Sequence, residues 1–304
     1  MIRSLEELVV KAKLRKKLFI SVAGAEDSTV LMAVSAAKNY GFIEGFLVGN
    51  PPEIKKIARE NNIDIQGFEI IKALTPEEKV KQAVSLVVSN KADIPMKGNV
   101  HSSIFLKAVL DKEYGLRTLK LFSHVGIFQV PTLSRLLIIT DAAMNITPTL
   151  KEKVEIINNA LEVARVLEIE TPKVAVLAAV ETVSENMPAT MEAAILTQMN
   201  KRGQIKGCLI DGPLALDGAI SREAALHKGI TSMVAGEADI LLVPDIEAGN
   251  VLYKALIYVA GGETAGVILG GKRPLVLTSR TDSLASKIYS IALTVLLSTG
   301  GGND

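Results

Sequence analysis

Cysteine is nearly absent from this 304-residue chain, and the single Cys208 excludes an internal disulfide and any multi-cysteine metal site. One thiol fits a reducing compartment, so the expected location is the cytoplasm. Histidine is scarce as well, at three residues, and no zinc-binding helix motif contains them. Neither sign of charge is in excess: 34 Lys and Arg against 33 Asp and Glu leave +1, which offers no footprint for nucleic acid or a membrane surface. Any anion must therefore be held by local basic residues. The apolar run at 288–297 is too short to span a bilayer and reads as a helix packed in the core. The start, MIRSLEELVVKAKLRKK, alternates charge with apolar residues, unlike a secretory signal. It reads as an amphipathic helix with Leu5, Leu8, Val9 and Ala12 on one face. There is no tandem repeat and no phosphate-cradling loop ending in Gly-Lys-Ser/Thr. The glycines at 261, 262, 266, 270 and 271 end at a strand instead of opening a helix, which excludes a dinucleotide fingerprint there.

What is present is globular. Hydrophobic residues make up 48% and charged ones 22%, and the length suggests two domains. Short apolar runs at 18–23, 45–48, 68–71, 136–140, 173–178, 208–211, 240–243 and 274–278 read as strands. Between them lie helical patterns, including 52–61, 103–114, 149–167, 191–201 and 219–228, and a helix opening near Val251. Thr75-Pro76-Glu77-Glu78 is a helix start with cap, proline and carboxylates in order. Buried strands separated by helices argue for a largely parallel sheet covered on both faces.

Two segments combine hydroxyl and basic residues. LTSRTDS at 277–283 follows a strand, where open α/β sheets gather ligands. Arg280 offers a permanently charged planar fork for two oxygens, and Ser279 stands beside it. MKGNVHSS at 96–103 supplies Lys97, a glycine, Gly98, that lets backbone approach a ligand, and Ser102 or Ser103 as cap of a helix whose N-terminus attracts phosphate. His101 serves either as a base or as a hydrogen-bond donor. Asp141 and Asn145 leave a buried strand and either line a site or hold their own loop. Asn250, at a helix start, is a ligand-facing candidate. Cys208 sits in an apolar strand and reads as inert core.

These segments, with ITDAAMNITP at 139–148, ENMPATMEA at 185–193 and DGPLALDGAIS at 211–221, stand in the order of a known family. The chain resembles the phosphate acetyl/butyryltransferase family, and most of all its butyryltransferase branch. The resemblance implies an α/β fold of two domains with mainly parallel sheets and an interdomain cleft, like isocitrate and isopropylmalate dehydrogenases. It places residues 1–138 and 285–304 in the first domain and 139–284 in the second. It further implies reversible transfer of a short-chain acyl group, butyryl favoured, between acyl-CoA and inorganic phosphate. No cofactor or metal is implied, and a homo-oligomer is. Ser279 and Arg280 match the family's Ser-Arg pair and are implied to be active-site residues. The acetyltransferase branch has an aspartate a few residues later, but the same interval lands here on Ser286. Asp282 and His101 therefore both stand as candidates to assist the thiol. Acetyl transfer and a non-catalytic acyl-CoA sensor remain as alternatives.

Overall fold

The computed structural model describes residues 1–300. In chain order its elements are α1 (Leu5–Ala12), β1 (Leu18–Ala23), α2 (Ser28–Asn39), β2 (Ile43–Gly49), α3 (Pro51–Glu60), β3 (Phe68–Lys72), α4 (Pro76–Val88), β4 (Ile94–Lys97) and α5 (Ser102–Val109). There follow β5 (Ser123–Gln129), β6 (Leu137–Thr140), α6 (Leu150–Val166), β7 (Lys173–Leu177), α7 (Pro188–Lys201), β8 (Leu209–Leu214), α8 (Leu216–Ile220) and α9 (Arg222–His227). The last are β9 (Ile240–Leu242), α10 (Ile246–Tyr258), β10 (Glu263–Leu269) and α11 (Leu284–Gly300).

The chain forms two compact units. A central unit contains Met1–Ser4 and Leu121–Glu263; a flanking unit contains Leu5–Lys120 and the chain from Thr264 onward. These divisions lie elsewhere than the expected ones near 138 and 285. For the first division the physical reason is β5, whose SHVGIFQ pattern of histidine and glycine among apolar residues hides a strand of the central unit. The difference matters, because it moves Arg280 into the same unit as Lys97.

In the flanking unit four parallel strands run in the order β3-β2-β1-β4. The all-buried β4 is bridged in parallel by Met96 to Val276, and Leu275 is bridged antiparallel to Ile268. The strand expected over 274–278 is thus reduced to two bridging residues. The glycine-rich stretch before it contains the strand β10, because its small residues pack buried against neighbours. α1 buries Leu5, Leu8, Val9 and Ala12 and packs on α11, whose apolar residues Ile291, Leu293 and Val295 are fully buried. α4 begins with a complete capping box between Thr75 and Glu78.

In the central unit the strands run β5-β6-β9-β7-β8, with β5 antiparallel to β6 and the rest parallel. β6 and β9 are buried along their whole length, as their continuous apolar runs require. α6 also starts from a capping box, Thr149 with Glu152. The helix expected at 219–228 is two helices, because Ser221 breaks it and caps α9 through the Ala224 N–H. α10 starts at Ile246 instead of Val251, since the Asp245 carboxylate caps the Ala248 N–H. α5 ends at Val109, short of the expected 114.

Candidate active site

Backbone pairing first brings the two expected constellations together. The Lys97 N–H donates to the Val276 carbonyl at 2.9 Å, and the Val276 N–H donates to that of Pro95 at 3.0 Å. The chain ends of β4 and of residues 275–276 therefore leave the sheet side by side. From β4 come Lys97, Gly98 and Asn99; from the other segment comes a four-residue turn, Ser279 to Asp282.

Gly98 is dictated by space. A Cβ there would lie 2.1 Å from the Gly24 carbonyl oxygen, so the segment after β4 lies directly on the segment after β1. The Gly98 N–H reaches the Ala23 carbonyl at 2.9 Å and the Asn99 N–H that of Gly24 at 2.6 Å. The Asn99 amide extends the seam to the Glu26 carbonyl at 3.1 Å.

Lys97 is 4% exposed, and among the described residues its ammonium donates only to the carbonyls of Gly98 and Val100, at 3.3 and 3.5 Å. Burial holds its pKa below the ordinary lysine value, and the charges of Arg280 and Lys287 add to that, against attraction from Asp282 and Asp27. Lys287 is 2% exposed in the first turns of α11 and is lowered in the same sense by burial. Sequence reading missed it. A lysine inside an otherwise apolar terminal helix was the available signal.

The turn is tightly fixed. The Asp282 carboxylate accepts the Ser279 N–H at 2.7 Å, and the Asp282 N–H reaches back to the Ser279 carbonyl at 3.3 Å. The hydroxyls of Ser279 and Thr281 lie 3.0 Å apart. Arg280, at the second position of this turn, is exposed, and its guanidinium has no hydrogen-bond or ion-pair partner among the described residues. Three cations thus meet with two nearby carboxylates, Asp282 and Asp27, each already engaged by a backbone N–H. Such an excess of unpaired positive charge suits a phosphate-bearing ligand.

His101 is the N-cap of α5 by its backbone, and its side chain makes no capping bond. Ser102 and Ser103 are therefore the first residues of the helix and do not cap it. They are exposed, and their N–H groups have no partner among the described residues, which leaves an open helix N-terminus.

The remaining candidates lie in the central unit and mostly hold their own loop. The Asp141 carboxylate is 2% exposed and accepts the N–H groups of Ala143, Met144 and Asn145, at 3.0, 3.0 and 3.2 Å. It also accepts the Asn145 amide at 2.6 Å, and that amide donates to the Phe122 carbonyl at 2.9 Å. The Asn250 amide donates to the Ala142 carbonyl at 3.4 Å. Of the two readings of Asp141, the local clasp describes the geometry.

Cys208 is 9% exposed, and burial pushes its thiol up to about 11. Iodoacetamide at pH 7 is expected to leave the folded protein unlabelled by mass spectrometry, and Cys208→Ala to retain full turnover. Stoichiometric labelling with loss of turnover would contradict an inert thiol. Among the described residues no group of three His, Cys, Asp or Glu side chains is placed to hold a metal, and no helix is long and apolar enough to cross a membrane.

The sequence profile of the family described as phosphate acetyl/butaryl transferase matches residues 4–82 and 75–295. The chain is similar to the phosphate butyryltransferase of Clostridium acetobutylicum, at 48% identity over 98% of this chain and 99% of that one. It is similar to the phosphate acetyltransferase of Thermotoga maritima, at 48% identity over 96% of this chain and 99% of that one. A branched-chain phosphotransacylase from Enterococcus faecalis V583 has a similar structure, with a TM-score of 0.81 and 32% identity, covering 92% of this chain and 99% of that one.

Proposed function

Because the chain belongs to the phosphate acetyl/butyryltransferase family, we propose that it reversibly transfers a short-chain acyl group between coenzyme A and inorganic phosphate, with butyryl favoured. The observation that carries this reading is the unpaired guanidinium of Arg280 beside the buried Lys97, on a chain alike over nearly its whole length to enzymes named for phosphate acyl transfer. In one direction the coenzyme A thiolate attacks the acyl-phosphate carbonyl. A C–S bond forms, the C–O bond to phosphate breaks, and phosphate leaves with its electron pair. Arg280 and Ser279 hold the phosphate and the carbonyl oxygen, where charge develops. Lys97, Gly98, Ser102 and Ser103 complete the anion-binding surface. A thiol of ordinary pKa near 8.5 is only a few per cent ionised at neutral pH, so His101 or the free Oδ1 of Asp282 takes its proton. Asp141, Asn145 and Asn250 act on this reading by shaping their loop.

The reaction needs no cofactor beyond its two substrates. The two units then follow the isocitrate/isopropylmalate dehydrogenase-like plan, and the enzyme works in the cytoplasm as a homo-oligomer. The test is release of free thiol from butyryl-CoA, with and without phosphate, beside acetyl-CoA. Phosphate-dependent release faster with butyryl-CoA is expected. Faster release from acetyl-CoA would reassign the chain length, and release indifferent to phosphate would overturn the transferase reading. Tight acyl-CoA binding without release would turn it toward a sensor.

A further inference from the structure

The buried ammonium of Lys287 has no place in the reaction just described, and its surroundings say what it is for. Its Nζ donates at 3.1 Å to the Ser279 carbonyl and at 2.7 Å to the Asp282 carbonyl. Those are the first and last residues of the turn that carries Arg280. One side chain therefore bonds both ends of the turn from beneath, while the Asp282 carboxylate closes it from within. The Lys287 N–H also bonds the Ser283 carbonyl at 3.1 Å, so the strut is rooted at the start of α11.

No carboxylate lies within ion-pair distance of this ammonium among the described residues. Burying this charge is unfavourable even with the longer-range attraction of Asp282 and Asp27, and an apolar residue of similar length would fill the same slot at less expense of stability. A leucine or methionine there would take the ammonium from both carbonyls and leave the turn held only by its own Ser279–Asp282 bonds. The lysine therefore serves the geometry of the turn more than the stability of α11.

We propose that Lys287 is a positioning residue which locks the Ser279–Asp282 turn and so presents the Arg280 guanidinium to the phosphate group of the substrate. It acts through Arg280 without touching substrate. This rests on the reading of the turn as a phosphate site.

The experiment compares wild type, Lys287→Met and Ser290→Ala. The last removes two buried bonds one turn along α11, from the Gly266 N–H to the Ser290 hydroxyl and from that hydroxyl to the Ser286 carbonyl, and leaves both turn bonds of Lys287 in place. KM and kcat are measured for phosphate and for butyryl-CoA, and the melting temperature is followed with and without inorganic phosphate. Lys287→Met is expected to raise the phosphate KM by about tenfold or more, the worth of a lost charge-assisted hydrogen bond. The butyryl-CoA KM should stay within about twofold, and phosphate should no longer raise the melting temperature. Ser290→Ala is expected to lower the melting temperature and leave both KM values alone. An unchanged phosphate KM in folded Lys287→Met overturns the proposal. A wild type that phosphate neither stabilises nor turns over removes the phosphate site itself. If Lys287→Met does not fold, Lys287→Gln keeps an N–H donor in the slot. A rise in its phosphate KM alone supports the strut, and equal changes in both KM values overturn it.

Discussion

Arg280→Ala is expected to lower kcat/KM for phosphate by about a thousandfold, the scale on which single charge-stabilising donors act in acyl transfer. Stability should change by no more than about 0.5 kcal/mol, because the side chain is exposed and has no partner among the described residues to lose. The backbone turn keeps its shape in the variant, since its bonds come from Asp282, Ser279 and Lys287. Initial rates at varied phosphate, beside a denaturant titration, separate these two effects. Arg280→Lys is expected to recover only part of the loss, because an ammonium supplies one point of charge where the guanidinium fork grips two oxygens. Full turnover in a folded Arg280→Ala protein would mean that the anion is held elsewhere.

The second large effect concerns Gly98→Ala. One methyl group there meets the Gly24 carbonyl oxygen at 2.1 Å and the Gly24 carbonyl carbon at 2.9 Å. Both obstacles are backbone, so no rotamer can relieve the overlap. The segments after β1 and β4 must separate, which strains the bonds from the Gly98 and Asn99 N–H groups. A destabilisation of about 3 kcal/mol is expected, at the upper end of ordinary overpacking. Activity should fall with it, because Lys97 is the neighbouring residue. Equilibrium unfolding in urea measures the first effect. An unchanged midpoint would show that the two segments are not pressed together as described.

Much of this was legible in the sequence. The strands with continuous apolar runs, such as ILL in β9 and LIIT in β6, and the capped helices at Thr75 and Thr149 follow from local chemistry alone. β5 and β10 were not legible, because their glycine, histidine and threonine become strand only once neighbours bury them. Ser279 and Arg280 stand as candidates through hydroxyl and guanidinium chemistry together with a family pattern. The pairing of Lys97 with residue 276 was out of reach, because a bridge between residues so distant in sequence leaves no local periodicity. Asp141 shows the converse limit. A carboxylate after a buried strand reads the same whether it faces a ligand or its own loop, and four hydrogen bonds decide it.

The flanking unit is built from two stretches of chain separated by the whole central unit. On a ribosome, Leu121–Glu263 can collapse as soon as it emerges, while α1 and α2, made earlier, wait for the α11 that packs on them. Until then the faces of α1 and α2 that α11 covers are bare, and this is the interval of greatest exposure to chaperones and aggregation. The arginine turn is synthesised after the whole central unit. A nascent chain therefore holds Lys97 and Gly98 long before Arg280, and a chain cut short near residue 270 has the central unit complete and no Arg280 at all.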